Sequence, residues 1–129
     1  MKIINATPHD IVVISRDNVV QDPKTKQFTA IPAEIKSIAK YEKSDILPRV
    51  SMTDELIKVT LEGAPIHTVK YGEIDGLPDE QPGIYYIVSG LVASAGVKLG
   101  RKDLMAPGDL VRDVENSSTV LGCLFLQLQ

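Results

Sequence analysis

Short segments rich in valine, isoleucine and other apolar residues recur along this chain roughly every ten residues, and turn signals separate them. The segments lie at residues 2–4, 11–14, 19–20, 55–61, 66–71, 84–88, 111–113 and 121–128. The chain has no tryptophan, two phenylalanines and four tyrosines, so its core must be mainly aliphatic, which favours strands. This pattern predicts a mainly β (α+β) fold, with a small barrel- or sandwich-like antiparallel sheet and one or two short helices.

The length and charge of the chain bound its organisation and its partners. Its 129 residues fit a single β-rich domain, spanning 1–129, that can bury an ordinary core. The formal net charge of −3 argues against general binding to nucleic acid, but leaves room for one small anion in a local basic pocket. The N-terminal residues lack a signal-peptide pattern, and no segment reaches the ~20 apolar residues of a membrane span. We therefore expect a cytoplasmic protein with no membrane partner.

Two stretches carry further structural signals. Residues 84–88 are a continuous apolar run, which is typical of a strand buried on both faces. The small residues that follow, with apolar positions at helical spacing and Gly100 at the end, predict a short helix over 91–99. Residues 32–43 fit a helix that begins at Pro32 as well as an alternating strand, and their periodicity does not separate the two.

A group of polar residues around this predicted helix forms the main candidate binding site. Ser89 precedes the helix and Gly90 permits close approach of a backbone, so free N–H groups there can hold a phosphate. Arg101, Lys102 and Arg112 lie downstream and supply positive charge if they converge on that end. The alternative is that Ser89 only caps the helix and Arg112 forms an ordinary ion pair with a neighbouring aspartate. The sequence has neither a GxGxxG nor a GxxxxGK[ST] motif, so the signatures of nucleotide-binding enzymes are absent.

Aromatic and histidine side chains complete the predicted ligand-binding set. Tyr71 or Tyr86 can stack on a base or ring, and His9 can form a hydrogen bond with a ligand. In its Thr-Pro-His-Asp context, however, His9 equally suits a turn in which it only stabilises the backbone.

The other reactive side chains indicate neither catalysis nor a metal. Cys123 lies among leucines and a phenylalanine, which is typical of a buried cysteine, and His67 alternates on a strand. Glu73 and Asp75 are interpreted as a solvated carboxylate pair. Two histidines and one cysteine without ligand spacing do not predict a zinc site. We expect no catalytic residue, no metal and no cofactor; a weaker alternative is a hydrolase or transferase that uses His9 with a nearby carboxylate.

An ordered set of motifs resembles a family of small proteins found in bacteriophages, prophages and actinobacterial genomes. The motifs cover about two thirds of the chain: NATPH at 5–9, YGEIDGLP at 71–78, YIVSGLVASA at 86–95, RKDLMAP at 101–107, VRD at 111–113 and GC at 122–123. Members of the family usually carry a Pro-Ser-Gly turn before a strand where this chain has PAE at 32–34, which favours a strand in 32–43. The resemblance implies a phage or prophage context and the cytoplasm of a host cell, but no established activity.

These observations lead to a hypothesis of binding without catalysis. We expect a non-enzymatic phage or prophage protein that binds, and by binding sequesters, a small phosphate-bearing ligand such as a cyclic nucleotide or an ADP-ribose-type defence signal. Small phage proteins often counter host defence in this way, and this step is an analogy of genomic context. The alternative is a structural or host-protein-interaction phage protein without a small-molecule ligand. Unpaired strand edges in a short-stranded β domain also favour a homo-oligomer.

Overall fold

Ten β-strands and one α-helix make up the computed structural model, which describes all 129 residues. In chain order they are β1 (Lys2–Asn5), β2 (Ile11–Ile14), β3 (Val19–Gln21), β4 (Phe28–Ala30), β5 (Ser37–Tyr41), β6 (Arg49–Val59), β7 (Pro65–Asp75), β8 (Ile84–Ile87), α1 (Gly90–Lys98), β9 (Leu104–Asp113) and β10 (Val120–Leu128). A 3-10 turn at Pro32–Glu34 comes just before β5. The mainly β class with few helices is therefore confirmed. No helix has the length and apolar character needed to cross a membrane.

Eight of the strands form one sheet in the order β1-β8-β9-β10-β2-β5, with β4 and β3 attached beside β9. Strand β9 is central, because β8 pairs with its start, β4 with its end and β10 along its other edge. A bridge between Asn5 and Lys43 links the two ends of the strand order. Closure of the sheet into a barrel stays a prediction.

The sheet is mixed, which corrects the expectation of a purely antiparallel one. Strand pairs β1–β8, β8–β9, β4–β9 and β10–β2 are parallel. Strand pairs β9–β10, β2–β5 and β3–β4 are antiparallel. The parallel pair β8–β9 is a βαβ unit, in which α1 carries the chain back to the edge where β8 began. Alternation of side chains shows that a segment is extended, but it carries no sign of a parallel partner far along the chain.

Strands β6 and β7 form a separate antiparallel hairpin, which we call the ribbon (residues 49–75). Its base packs on the domain through Val50 and Ile74, which contact a core cluster. Beyond that base nearly every ribbon residue is exposed. The ribbon is therefore an arm of the domain and not a layer of its sheet.

The hydrophobic core has two parts, one at each end of β9. The first lies under α1 and consists of Ala6, Tyr86, Val88, Val92, Ala93 and Leu104. The second consists of Ile14, Ala30, Val111 and Leu124. Only 18 of the 129 residues are buried, so much apolar surface stays accessible in the single chain.

Most of the expected elements are present, and the differences concern their lengths. The helix, the strands at 11–14 and 84–87 and the loop before 84 lie where the sequence predicts them. Residues 32–43 contain a strand, β5, as favoured, and the helix alternative is reduced to the three-residue 3-10 turn at Pro32–Glu34. Strand β6 begins six residues before the expected 55, β9 begins at 104 and not at 111, and β4 was not expected.

Candidate functional site

Ser89 caps helix α1 as one alternative predicted. Its hydroxyl oxygen accepts a hydrogen bond from the Val92 amide at 3.4 Å, and its own backbone is extended. Gly90 is the first helical residue and is exposed. The N-terminus of α1 thus has its side-chain cap.

Arg101 lies at the other end of the helix and is used inside the fold. Its backbone amide donates to Gly96 in the last turn of α1. Its guanidinium donates to both carboxylate oxygens of Asp103, at 2.9 and 2.8 Å, and to the Pro78 carbonyl at 2.8 Å. The hydrogen bonds to Asp103 raise the pKa of Arg101 above its ordinary value. Because Asp103 is buried and neutralises it, this guanidinium braces the loop before β8 and is not free for a ligand.

Arg112 lies far from both of these groups. Val88, the residue before Ser89, donates to the Met105 carbonyl, and Arg112 is seven positions farther along β9, about 23 Å in an extended strand. The structure therefore does not bring Ser89, Arg101 and Arg112 to one cavity. The expectation of convergence fails because β9 is longer than predicted and separates its two ends.

The expected stacking residues are also occupied or covered. Tyr86 is only 3% exposed and belongs to the core under α1, so it cannot stack on a ligand. Tyr71 is half-buried, and the Lys98 ammonium lies 4.7 Å from the centre of its ring in a cation–π contact. Lys102 is exposed and lines a shallow hollow with Glu80 and Asp103. These three residues share no pocket.

His9 belongs to a turn that Asn5 and Thr7 hold in place. The Asn5 side-chain amide donates to the carbonyls of His9 and Tyr41, at 2.7 and 2.8 Å. The Thr7 hydroxyl is within 2.6 Å of the Asn5 side-chain oxygen and within 2.8 Å of the His9 carbonyl. The backbone of His9 is thus held in a turn, but by the side chains of Asn5 and Thr7 and not by its own imidazole, as the turn alternative had it, and the residue itself is exposed.

The exposed His9 side chain lies at a groove that the sequence did not predict. This groove, about 540 Å³, runs between the start of β2 and the β9–β10 hairpin. Its lining residues are His9, Asp10, Ile11, Val12, Pro107, Leu110, Ser118, Val120, Leu121, Gly122 and Cys123. The two sides meet at Gly122, where a Cβ atom would lie 2.6 Å from the Val12 carbonyl oxygen. Strands β10 and β2 share one bridge pair, Cys123 with Val13, so their ladder is short.

Arg112 borders the same groove. Arg112 pairs with Val120, a lining residue, and its guanidinium donates to the Ser117 carbonyl at 2.9 Å, next to Ser118. It lies two positions from Leu110 on β9, so both side chains share one face of the strand. Of the residues expected to bind ligand, His9 therefore lines the groove, and Arg112 lies beside two of its lining residues, Val120 and Ser118.

The charges around the groove leave Arg112 as its uncompensated cation. None of the five ion pairs of the chain includes Arg112. The one carboxylate of the groove, Asp10, accepts from the Lys43 amide at 2.9 Å and pairs with the Lys40 ammonium at 3.8 Å. At the floor, burial raises the pKa of the Cys123 thiol, so this residue stays protonated and unreactive.

The other titratable candidates lie away from the groove. His67 bonds with Asp54 across the ribbon at 2.9 Å, a contact between residues thirteen positions apart that alternation alone did not indicate. Glu73 and Asp75 are exposed on β7. No group of three or more His, Cys, Asp or Glu side chains is placed to hold a metal ion.

No protein-family model, curated protein or solved structure matches the chain.

Proposed function

We propose that the protein binds, and by binding sequesters, a small phosphate-bearing ligand in the groove between β2 and the β9–β10 hairpin, without catalysis. The observation that carries this proposal is Arg112, a half-buried residue whose guanidinium has no carboxylate partner and which lies next to an apolar groove of about 540 Å³. Small-molecule sites in proteins commonly have volumes of about 300–1,000 Å³ and combine an apolar lining with a few polar groups.

The two parts of such a ligand match the two parts of the groove. A base or ribose ring would lie on the apolar lining, where Leu110 and Val120 are exposed. A phosphate group would extend toward Arg112, whose planar fork suits phosphate oxygens, with His9 and Ser118 as further hydrogen-bonding groups. Arg112 is the single cation of this arrangement, which suits a ligand with few phosphates.

The ligand class and the setting are part of the proposal. The motif resemblance implies a phage or prophage context and the cytoplasm of a host cell, and analogy with small phage proteins that counter host defence suggests a cyclic nucleotide or an ADP-ribose-type signal as the ligand. A sequestering protein needs affinity and no chemistry, and the groove holds no reactive nucleophile, since its one thiol is buried and protonated.

A thermal-shift series with cyclic nucleotides and ADP-ribose derivatives tests the proposal. We expect at least one of these ligands to raise the melting temperature of the wild-type protein, because a ligand that binds only the folded state stabilises it. Arg112→Ala should remove this shift, while Arg49→Ala should keep it, because Arg49 is exposed, forms no ion pair and lies outside the groove. Ligand recovered unchanged after heat release would separate binding from turnover. No shift with any member of the series would reject the proposal.

A second candidate is a structural or host-protein-interaction role without a small ligand. The hydrogen bonds within the fold favour this role, because they already involve the polar side chains of Asn5, Ser89, Arg101 and Asp103. An unshifted melting temperature across the ligand series, together with an Arg112→Ala variant of lowered stability, would support this role.

A further inference from the structure

We propose that the ribbon is a self-association surface, on which a second copy of this chain packs in a symmetric dimer. The surface is one face of the ribbon, which we call the apolar face (Met52, Leu56, Val59 and Val69, with Asp54 and His67 between them). The cross-strand pairs place these side chains together: Met52 lies opposite Tyr71, Asp54 opposite Val69 and Leu56 opposite His67. Ligand binding in the groove uses other elements, so the two proposals stand or fall separately.

The apolar face continues a surface that is already buried at its base. Val50 lies two positions before Met52, so its side chain shares that face, and both Val50 and its partner Ile74 contact the core under α1. Farther out the same face loses its cover: Met52 is 50%, Leu56 55%, Val59 53% and Val69 44% exposed. The middle of the opposite face carries Thr53, Glu55, Thr68 and Lys70, which suit water, while Ile66 lies on that face nearer the tip. The middle of the ribbon is thus amphipathic, and its apolar face is exposed beyond the base, where Lys98 of α1 contacts Tyr71.

The chain exposes more surface than a compact monomer of its size. A compact monomer of 14.1 kDa is expected to expose about 6,700 Å², whereas this chain exposes 8591 Å². The excess of about 1,900 Å² includes the projecting ribbon and is larger than the roughly 800 Å² that each partner of a standard-size interface hides, so a dimer can cover part of it. An isolated two-stranded hairpin is also marginally stable in water, so strands of eleven residues need a further packing partner.

The chemistry of the face suits a copy of itself better than a lipid surface. Its two polar side chains, Asp54 and His67, already bond with each other at 2.9 Å, so a partner can cover them without leaving either one without a partner. A two-fold axis brings the same apolar patch from each chain together, as an isologous interface requires. The polar face carries charges of both signs and not the lysine- and arginine-rich surface that anionic lipids attract.

The oligomeric state of the full chain tests this proposal by light scattering after size-exclusion chromatography. We expect the wild-type mass to be twice 14.1 kDa. Leu56→Glu should halve that mass, because it places a charge in the apolar interface. Thr53→Glu should leave the dimer intact, because it introduces the same charge on the same strand but on the opposite, solvated face. Both positions are exposed in the single chain, so neither variant should unfold it.

Val69→Lys provides a second disruption of the apolar face with the opposite charge, and it should also halve the mass. Circular dichroism of each variant verifies that the fold is kept. A monomeric wild type at micromolar concentration would overturn the proposal and assign the apolar face to a different partner. An oligomer that persists in both Leu56→Glu and Val69→Lys would overturn it as well, because its interface would lie elsewhere.

Discussion

The buried side chain of Asn5 joins separate segments of the chain through its hydrogen bonds. It is 2% exposed, yet every hydrogen-bonding group of its side chain has a partner. Its amide nitrogen donates to two carbonyls, one in the next turn and one at the end of β5, and its oxygen accepts from the amide and hydroxyl of Thr7. A single buried side chain thus joins β1, the turn at His9 and β5.

The direction of these bonds makes Asn5→Asp a demanding test at constant shape. The change replaces the donor that faces the carbonyls of His9 and Tyr41 with an acceptor, so both bonds become repulsive contacts inside the protein. We expect the free energy of unfolding to fall by at least about 2 kcal/mol, measured from urea denaturation.

Asn116→Asp is the matched control for that experiment. The Asn116 oxygen accepts from the Ser118 amide and hydroxyl in an exposed turn, and its nitrogen forms no bond within the protein. A carboxylate preserves the acceptor, so the free energy of unfolding should change by less than about 0.5 kcal/mol. Equal losses in the two variants would contradict the role assigned to the Asn5 amide.

Residue identities in the sequence indicated which groups are polar, but not which of them are already satisfied. The side chains of Ser89 and Arg101 are of types that can bind an anion. In the fold Ser89 accepts from the Val92 amide and Arg101 donates to Asp103, and both partners are near in sequence. Either outcome fits such a pattern, because one guanidinium can face a ligand or an internal aspartate. Arg112 differs from Arg101 only by its surroundings in the folded chain, which no local pattern reports.

At the scale of elements, the contact of β10 with β2 depends on the absence of a side chain at position 122. A Cβ atom on Gly122 would lie 2.5 Å from the Ile14 side chain and 2.6 Å from the Val12 carbonyl oxygen. The carbonyl oxygen belongs to the backbone and cannot turn away. Gly122→Ala therefore forces β10 from β2, and we expect a loss of roughly 1–3 kcal/mol in the free energy of unfolding.

Gly90→Ala is the control at this scale, since it makes the same chemical change at the first residue of α1. A Cβ atom there meets no atom within 4 Å, and alanine favours a helix over glycine by roughly 0.5–1 kcal/mol. The variant should be as stable as the wild type or slightly more stable. If Gly122→Ala unfolds at the same urea concentration as the wild type, the close contact of β10 with β2 is not a constraint on the fold.

Elements with a strong local signal were the predictable part of this fold. The apolar run at 84–87 and the helical spacing after it identified β8 and α1. The sequence does not predict the first half of β9 because Pro107, Gly108 and Asp109 interrupt its pattern, although Pro107 and Gly108 pair with β10 in the sheet. Pairing with the neighbouring strands outweighs the weak strand propensity of these residues. The groove beside β9 also depends on how distant strands are placed, so the sequence alone does not predict it.

At the scale of the whole molecule, the chain combines distant pairing in the sheet with local pairing in the ribbon. Val13 on β2 pairs with Cys123 on β10, and β1 pairs with β8 about eighty residues away. The ribbon instead joins two adjacent strands through one turn. The sheet forms a single unit that must come together as a whole, whereas the ribbon can open alone.

Hydrogen exchange should therefore separate the two parts, and it should also report on the dimer. Amides of β8 and of the start of β9 border the core under α1 and should be protected to the limit of global unfolding. In a single chain the outer ribbon packs against nothing, so its amides should exchange at least tenfold faster than those of β8. A second copy on the apolar face should slow this exchange in the wild type, because opening the ribbon would then also require breaking the interface.

The comparison of wild type, Leu56→Glu and Thr53→Glu makes that expectation specific. Leu56→Glu should accelerate exchange in residues 52–69 and leave β8 unchanged, whereas Thr53→Glu should leave both at the wild-type rate. Equal exchange of the ribbon in all three proteins would show that its apolar face is open in the wild type. Faster exchange of β8 in Leu56→Glu would instead show that the ribbon and the sheet unfold together, because the charge would then have destabilised the domain and not only the interface.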